Sequence, residues 1–102
     1  MRSSIDLESR LNKMQARKLL SELLGTNPNC FSYGSYFKRR LAERRMTVGD
    51  IINILHIGQI LHDAEYEQQQ WRYRIQTATM TVIITFISPA HVRLITCWRG
   101  KQ

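Results

Sequence analysis

Residues 71–88 read WRYRIQTATMTVIITFIS, and this stretch decides the fold. Over residues 71–76 aromatic or apolar side chains alternate with polar ones, which is typical of a strand with one buried face. Residues 80–87 are apolar apart from two threonines, so we expect this strand to be covered on both faces and central in its sheet. Only Thr77, Ala78 and Thr79 join the two strands, and so short a link indicates an antiparallel hairpin.

Two more strands are predicted around this hairpin. Gln59 to Tyr66 precedes it and His91 to Arg99 follows it, each separated from its neighbour by a short link. Short links again favour antiparallel pairing. We therefore predict a four-stranded, mainly antiparallel sheet.

Upstream of the strands, hydrophobic residues recur with a period of about 3.6, which is typical of helices. The first predicted helix covers residues 4–24. Ser3 and Asp6 have the spacing of a capping box in front of it, and Gly25 is suited to end it. Asn27 to Asn29 is predicted as a loop.

A second helix is predicted over residues 35–45, with Tyr36, Phe37 and Leu41 directed inward. The spacing of Thr47 and Asp50 is that of another capping box, so a third helix is expected from about Val48. Gly58 is well placed to end it.

Together these elements predict an α+β fold in a single domain, residues 1–102. Two to three N-terminal helices would pack on one face of the sheet, and the other face would be partly open. Residues 1–25 would form an N-terminal helix, and residues 31–99 the remaining core.

Composition narrows the class of protein. The chain has 102 residues, is 43% hydrophobic and carries a net charge of +7, which attracts polyanions. The longest apolar run, residues 80–87, is far shorter than the roughly 20 residues of a membrane span. With no apolar leader at the N-terminus, we expect a cytoplasmic protein without a membrane partner. Cys30 and Cys97 match no metal-ligand spacing and are interpreted as reduced thiols. The five glycines are scattered and form no phosphate-binding loop, so no cofactor is expected.

The positive charge falls into two clusters. Residues 38–45 contain five basic side chains and one acidic one. After Glu67 there is no Asp or Glu, while five basic residues follow: Arg72, Arg74, Arg93, Arg99 and Lys101. If the helix and the strand border one groove, that groove is the predicted site.

Arg72 and Arg74 are predicted on the same face of a strand, about 7 Å apart, which matches neighbouring phosphates. Arginine suits this role because its planar guanidinium binds phosphate oxygens bidentately. The alternative is that the two arginines only keep the face hydrated or pair with Asp63 and Glu65 on the adjacent strand.

Histidines and aromatic residues offer weaker signals. His62 is a candidate acid or base, although a lone histidine is more often structural. No two of His56, His62 and His91 have metal-ligand spacing, so no metal site is predicted. The strand region contains four aromatic residues, which are Tyr66, Trp71, Tyr73 and Trp98. An exposed aromatic ring beside Arg72 can stack on an RNA base, and packing in the core is the alternative role for these residues.

The stretch YFKRRLAERRMT, residues 36–47, resembles the signature of an uncharacterised bacterial domain family related to BrnT and RelE-type toxins. That signature runs His-Ala-x-x-Arg-Met-x-Glu-Arg-Gly-Ile-Ser/Thr, followed by an acidic residue, an apolar helix and a glycine. Six residues occupy matching places: Arg40, Glu43, Arg44, Thr47, Asp50 and Gly58. The chain departs from the signature at Tyr36, which replaces its histidine, and at Arg45, which replaces its glycine.

The resemblance extends over residues 31–99. Tyr66 and residues 71–74 are similar to the family's Tyr and Arg-x-Arg strand, and residues 94–99 to its closing strand. The order of helices and sheet is also similar to that of MqsR toxins.

The resemblance implies the toxin of a toxin–antitoxin pair, an endoribonuclease that cleaves mRNA, free or on the ribosome, without a metal. Its partners would be RNA and an antitoxin protein. Such a reaction needs a base for the 2′-OH, cations for the phosphorane and an acid for the leaving oxygen.

The resemblance and the charge pattern together suggest two groups of residues. Arg72, Arg74, His62, Tyr36 and Tyr66 would form the catalytic group. The RNA-binding group would be Lys38, Arg40, Arg44, Arg93 and Arg99. If the family histidine is catalytic, Tyr36 would be a weaker acid or base or none.

Two other functions remain open on the sequence. One is a non-enzymatic basic module that binds nucleic acid or an acidic partner protein. The other is a small interaction domain whose charges serve only its surface.

Overall fold

The computed structural model describes residues 7–27 and 29–100. These residues form an α+β fold of three helices and a mixed sheet. In chain order the elements are α1 (Lys13–Thr26), β1 (Phe31–Tyr33), α2 (Ser35–Glu43), α3 (Val48–Ile57), β2 (Glu65–Glu67), β3 (Gln70–Gln76), β4 (Met80–Ser88) and β5 (His91–Arg99).

The sheet has five strands in the order β1-β5-β4-β3-β2. The sheet has one strand more than the four predicted, because β1, only three residues long, adds a fifth beside β5. That pairing is parallel, whereas all the other ladders between strands are antiparallel. Three residues carry too little alternation to be recognised in a sequence, and their partner lies 61 positions away, where Phe31 meets Val92.

Strand β4 is central, as its apolar sequence predicts. Its Ile84 pairs with Tyr73 of β3 and with Leu94 of β5, and all three side chains are buried. This row belongs to the hydrophobic core that the sheet shares with the helices. Arg72 directly precedes Tyr73, and Arg93 directly precedes Leu94. Because successive strand residues alternate between faces, both arginines lie on the opposite face of the sheet.

The strand predicted over residues 59–66 is mostly absent. Gln59 forms a single bridge to Gln76, and only Glu65–Glu67 is a strand, at the edge of the sheet. A tight turn follows in which Gln68 and Gln69 have φ angles of 51° and 65°. Two successive residues with positive φ are the hallmark of a type I′ hairpin turn, which matches the twist of the paired strands.

Helix α1 begins at Lys13, nine residues later than predicted, because Asn12 caps it. The Asn12 side chain accepts from the Gln15 backbone N–H at 2.8 Å, and Gln15 accepts in return from the Asn12 N–H at 2.9 Å. The predicted capping box of Ser3 and Asp6 lies outside the described residues. Gly25 does not end the helix, which continues to Thr26.

Helix α2 buries Phe37 and Leu41 as predicted, but Tyr36 was wrongly placed in the core and is 51% exposed. Beyond its C-terminus Arg45 has a φ of 56°. The Arg45 and Met46 N–H groups donate to the carbonyls of Ala42 and Leu41, which is the Schellman arrangement that usually contains glycine. Arg45 therefore occupies the backbone conformation that the glycine of the signature would favour.

Helix α3 confirms both predicted boundaries. The Thr47 hydroxyl accepts from the Asp50 N–H at 3.0 Å, and the Asp50 carboxylate accepts from the Thr47 N–H at 2.9 Å. Gly58 is the C-cap. Caps of this kind depend on neighbours in sequence, which is why spacing alone predicts them.

Arg17 connects α1 to the end of α3. Its two terminal nitrogens donate to the carbonyls of Leu55 and Gly58, each at 2.6 Å. These carbonyls belong to the last turn of α3 and its cap, where helix carbonyls lack partners and a cation is favoured. Burial lowers the pKa of Arg17 from its usual value.

Arg17→Ala is expected to lower the free energy of unfolding by about 2 to 4 kcal/mol, since hydrogen bonds to charged groups contribute about 1.5 to 3 kcal/mol each and do not add fully. Arg17→Lys should recover only part of the loss, because an ammonium group cannot reach both carbonyls as the guanidinium fork does. Urea unfolding followed by circular dichroism measures both values. Wild-type stability of the lysine variant would contradict a role for the fork.

Candidate functional site

Arg72 forms part of two adjacent surface cavities, and the residues around it differ sharply between them. One cavity, which we call the acidic cavity, has a volume of about 210 Å³. It is lined by His62, Asp63, Glu65, Glu67, Arg72, Arg74, Ile83, Thr96 and Trp98. The other, the arginine groove, has a volume of about 300 Å³. It is lined by Gly34, Tyr36, Phe37, Gln68, Gln70, Arg72, Ile87, Arg93, Leu94 and Ile95.

The acidic cavity contains the arginine pair predicted for phosphate, together with His62. Three carboxylates also line it, so they outnumber the two guanidiniums. An RNA phosphate entering here would meet like charges at close range, which is unfavourable where the local dielectric is low. The cavity therefore does not provide the anion site expected of Arg72 and Arg74 acting as a pair.

Arg72 is paired, but not with the residues considered in the sequence. Its Nη1 donates to the Glu67 carboxylate at 3.1 Å and its Nη2 to the Gln68 side-chain oxygen at 3.2 Å. Glu65 is its register partner, yet the ion pair forms with Glu67. Asp63 lies 3.9 Å from Arg10 instead. The Glu67 side chain is 57% exposed but that of Arg72 only 19%, so a bound anion has to compete with a partly buried ion pair.

Arg74 stands over the ring of Trp98, with its guanidinium carbon 6.0 Å from the ring centroid. This cation–π contact lies on the sheet face that also carries Arg72. Arg74 lines the acidic cavity and not the arginine groove, whereas Arg72 lines both.

The arginine groove brings together Tyr36, Arg72 and Arg93. Arg93 pairs in register with Thr85 of β4, and the Arg72 position flanks Thr85 on the other side. Since neighbouring strands lie about 4.8 Å apart, the two arginine Cα atoms are separated by about 10 Å. Two long side chains can converge on one anion from that distance. No carboxylate is among the residues that line the groove.

Gly34 allows the Arg93 guanidinium to lie against the start of α2. A Cβ atom at Gly34 would stand 2.9 Å from Arg93 Nη2. The same guanidinium approaches the Ser32 hydroxyl, with Nη1 at 3.5 Å. The glycine therefore makes room for a cation at the end of the groove.

Tyr36 presents an exposed ring at the groove with two guanidiniums beside it. The guanidinium carbons of Arg39 and Arg40 each lie 5.8 Å from its centroid. Arg40 also forms an ion pair with Glu43 at 3.0 Å. The groove is bordered by Tyr36 of α2 and Arg72 of β3, whereas none of the basic residues of α2 is among its lining residues.

The remaining RNA-binding candidates lie elsewhere. Lys38 and Arg44 are exposed on α2 and its C-cap, outside the residues that line the two cavities. Arg99 binds protein backbone: its Nε donates to the Arg44 carbonyl at 2.9 Å and its Nη2 to the Arg45 carbonyl at 2.6 Å. Arg99 therefore ties β5 to the turn after α2.

The two proton-transfer candidates besides Tyr36, which are Tyr66 and His62, do not line the groove. Tyr66 packs on Trp71, with ring centroids 5.0 Å apart, and lines a separate depression that includes Trp71 and Phe86. His62 lies in the exposed loop before β2, not on a strand, and faces the acidic cavity. Tyr66 is in register with Trp71 and therefore points away from Arg72, because successive strand residues alternate between faces.

Sequence reasoning missed a contact between Ser32 and His91. The Ser32 hydroxyl and His91 Nε2 are 2.8 Å apart, and Arg93 adjoins them. The two residues are 59 positions apart, and only the parallel pairing of β1 with β5 brings them together. No local signal in the sequence could have found them.

Both cysteines are free and buried. Burial raises the pKa of each thiol, although Arg40 and Arg44 act in the opposite direction on Cys97. Neither is a thiolate nucleophile at neutral pH. Burial likewise raises the pKa of Tyr73, whose hydroxyl accepts from the Leu11 N–H at 3.0 Å in a structural contact.

Residues 7–27 and 29–100 contain neither a metal-binding cluster nor a membrane-spanning helix. Among these residues, no three or more His, Cys, Asp or Glu side chains are grouped so that they could hold a metal ion. None of the helices in this part of the chain has the length and apolar character needed to cross a bilayer.

Comparison with known proteins gave no match, either to a family model or to a curated protein or solved structure.

Proposed function

We propose that the protein is a metal-independent endoribonuclease that binds single-stranded RNA in the arginine groove. One observation carries the proposal: Arg72 and Arg93 line one groove whose other lining residues include no carboxylate. A groove of this charge attracts a polyanion, and arginine forks match phosphate oxygens.

Tyr36 supports RNA over other polyanions. Its exposed ring stands at the groove between the two arginine-rich elements. Unpaired bases of single-stranded RNA stack on exposed aromatic rings, while duplex bases are not available for such stacking. The neighbouring Arg39 and Arg40 add positive charge along the path of the backbone.

Cleavage would follow from the same charges. When the 2′-oxygen attacks the adjacent phosphorus, negative charge develops on the phosphorane, and two guanidiniums at the groove stabilise it. The P–O5′ bond then breaks, leaving a 2′,3′-cyclic phosphate and a 5′-hydroxyl. The role of toxin in a toxin–antitoxin pair rests on the resemblance of residues 36–47 and on this chemistry.

The test uses the full chain and a fluorescent single-stranded RNA in buffer with EDTA. We expect binding that weakens as salt rises, with a slope of log K against log [salt] of about −1.4 or steeper for two or more phosphates. We expect products with cyclic phosphate ends, and growth arrest when the gene is expressed. Binding without products would favour the non-enzymatic basic module, and an absence of salt-sensitive binding would overturn RNA as the ligand.

A further inference from the structure

We propose that His91 transfers the proton in RNA cleavage and that Ser32 positions its ring, an inference that rests on the proposed function. The two side chains meet at 2.8 Å on the face of the sheet that carries Arg93. Both are half-buried, so their contact is partly shielded from water. A histidine held in this way by a second group is the arrangement expected of a general base.

Arg93 connects this pair to the groove. Its Nη1 lies 3.5 Å from Ser32 Oγ, and Arg93 also lines the arginine groove. Ser32 is the register partner of Arg93, and His91 stands two residues before Arg93 on the same face of β5. Ser32 and His91 do not themselves line the groove, so a phosphate would reach His91 where Arg93 binds it on the side of Ser32.

The Ser32 hydroxyl suits both of its neighbours. Its oxygen has two lone pairs, which can accept one hydrogen bond from Arg93 Nη1 and one from His91 Nε2–H. In that arrangement the other ring nitrogen, Nδ1, is the unprotonated one, because the bond made by one nitrogen sets the tautomer. The Nε2–H bond to Ser32 remains after Nδ1 gains a proton, so the ring keeps its orientation throughout the step.

His91 Nδ1 takes the proton of the ribose 2′-OH as the 2′-oxygen forms its bond to phosphorus. The P–O5′ bond breaks, and the leaving 5′-oxygen takes a proton from solvent. The imidazolium of His91 then returns its proton to solvent, which restores the starting state.

Cleavage assays on single variants test the assignment. His91→Ala is expected to cut RNA at least about 100-fold more slowly, the range of general acid–base catalysis, with RNA affinity within about threefold of the wild type. Free imidazole in the buffer should restore part of the rate. Ser32→Ala should lower kcat about tenfold and leave KM unchanged, because it removes positioning without removing a guanidinium. His56→Gln, at an exposed position on α3, is the matched control and should cut at the wild-type rate.

A second measurement does not depend on cleavage. The protein has three histidines, so their C2 proton resonances can be assigned by single substitutions. Addition of a nucleoside 3′-monophosphate should shift the His91 resonance and leave that of His56 in place. A shift of His62 instead of His91 would overturn the inference, as would cleavage by folded His91→Ala within threefold of the wild type. If the wild type binds RNA and shifts His91 without cutting, the cleavage proposal fails and the anion site beside His91 remains.

Discussion

Replacing Arg93 by alanine is expected to weaken RNA binding by about 10- to 100-fold, and replacing Arg72 by a similar factor. Hydrogen bonds to charged groups contribute about 1.5 to 3 kcal/mol, and each 1.4 kcal/mol corresponds to a tenfold change in affinity. The Arg72→Ala, Arg93→Ala double variant should lose less than the product of the two factors if both arginines hold one phosphate. Fluorescence anisotropy at fixed salt measures all three affinities.

Two matched variants distinguish RNA binding in the arginine groove from general attraction by the net charge of the protein. Lys18→Ala removes one positive charge at an exposed position of α1 and should change affinity by less than twofold. Glu67→Gln should strengthen binding several-fold, because it removes the carboxylate that holds Arg72 at 3.1 Å. Weaker binding by Glu67→Gln would show that the ion pair positions Arg72 instead of competing with RNA. If Lys18→Ala weakens binding as much as Arg93→Ala, the groove is not the site.

Gly58→Ala is expected to produce the largest loss of stability, about 3 kcal/mol or more, because the added methyl group would overpack the core. An alanine Cβ would stand 2.5 Å from the Ile54 carbonyl oxygen and 2.7 Å from Ile75 Cγ2. The φ of Gly58 is −68°, so close packing between α3 and β3, not backbone freedom, requires glycine. The neighbouring Gln76 carbonyl oxygen would lie 3.3 Å from the same Cβ atom, so the methyl group could not move away from the other two contacts.

In the Gly58→Ala variant the temperature of unfolding should fall by about 12 to 24 °C, since a loss of 1 kcal/mol corresponds to about 4 to 8 °C in a domain of this size. Gly25→Ala is the control within the same fold. Its Cβ would meet nothing within 4 Å, and glycine to alanine inside a helix should stabilise the protein by about 0.5 to 1 kcal/mol. A loss of less than about 1 kcal/mol in Gly58→Ala would show that α3 moves away from β3 at little cost.

Much of the candidate site was predicted, but its internal arrangement was not. The charge pattern suggested Arg72 and Arg93, the family resemblance suggested Tyr36, and all three line one groove. Arg72 and Arg74 share a cavity, but the sequence did not show that three carboxylates line it as well. Spacing along one strand gives the distance between two guanidiniums, whereas the carboxylates that face them come from the loop before β2 and from β2 itself.

Tyr66 and Arg99 also illustrate what a sequence does not show about a side chain. Tyr66 resembles a family residue in sequence, yet its register with Trp71 turns it to the other face of the ladder. Arg99 contributes to the basic charge of the chain, yet its guanidinium is used by the carbonyls of Arg44 and Arg45. Charge and residue type are visible in a sequence, but the direction and partners of a side chain are not.

The sequence by itself determined the elements whose causes are local. The alternation of residues 71–76, the apolar run of residues 80–87 and the caps of α3 each depend on neighbours along the chain, so their positions could be predicted. Only the tertiary structure decided the parallel contact of β1 with β5, which joins Ser32 to His91 and sets Arg93 beside Gly34. Three strand residues have no stability alone. They form a strand because a partner 61 positions away supplies their hydrogen bonds, and no pattern in the sequence records that partner.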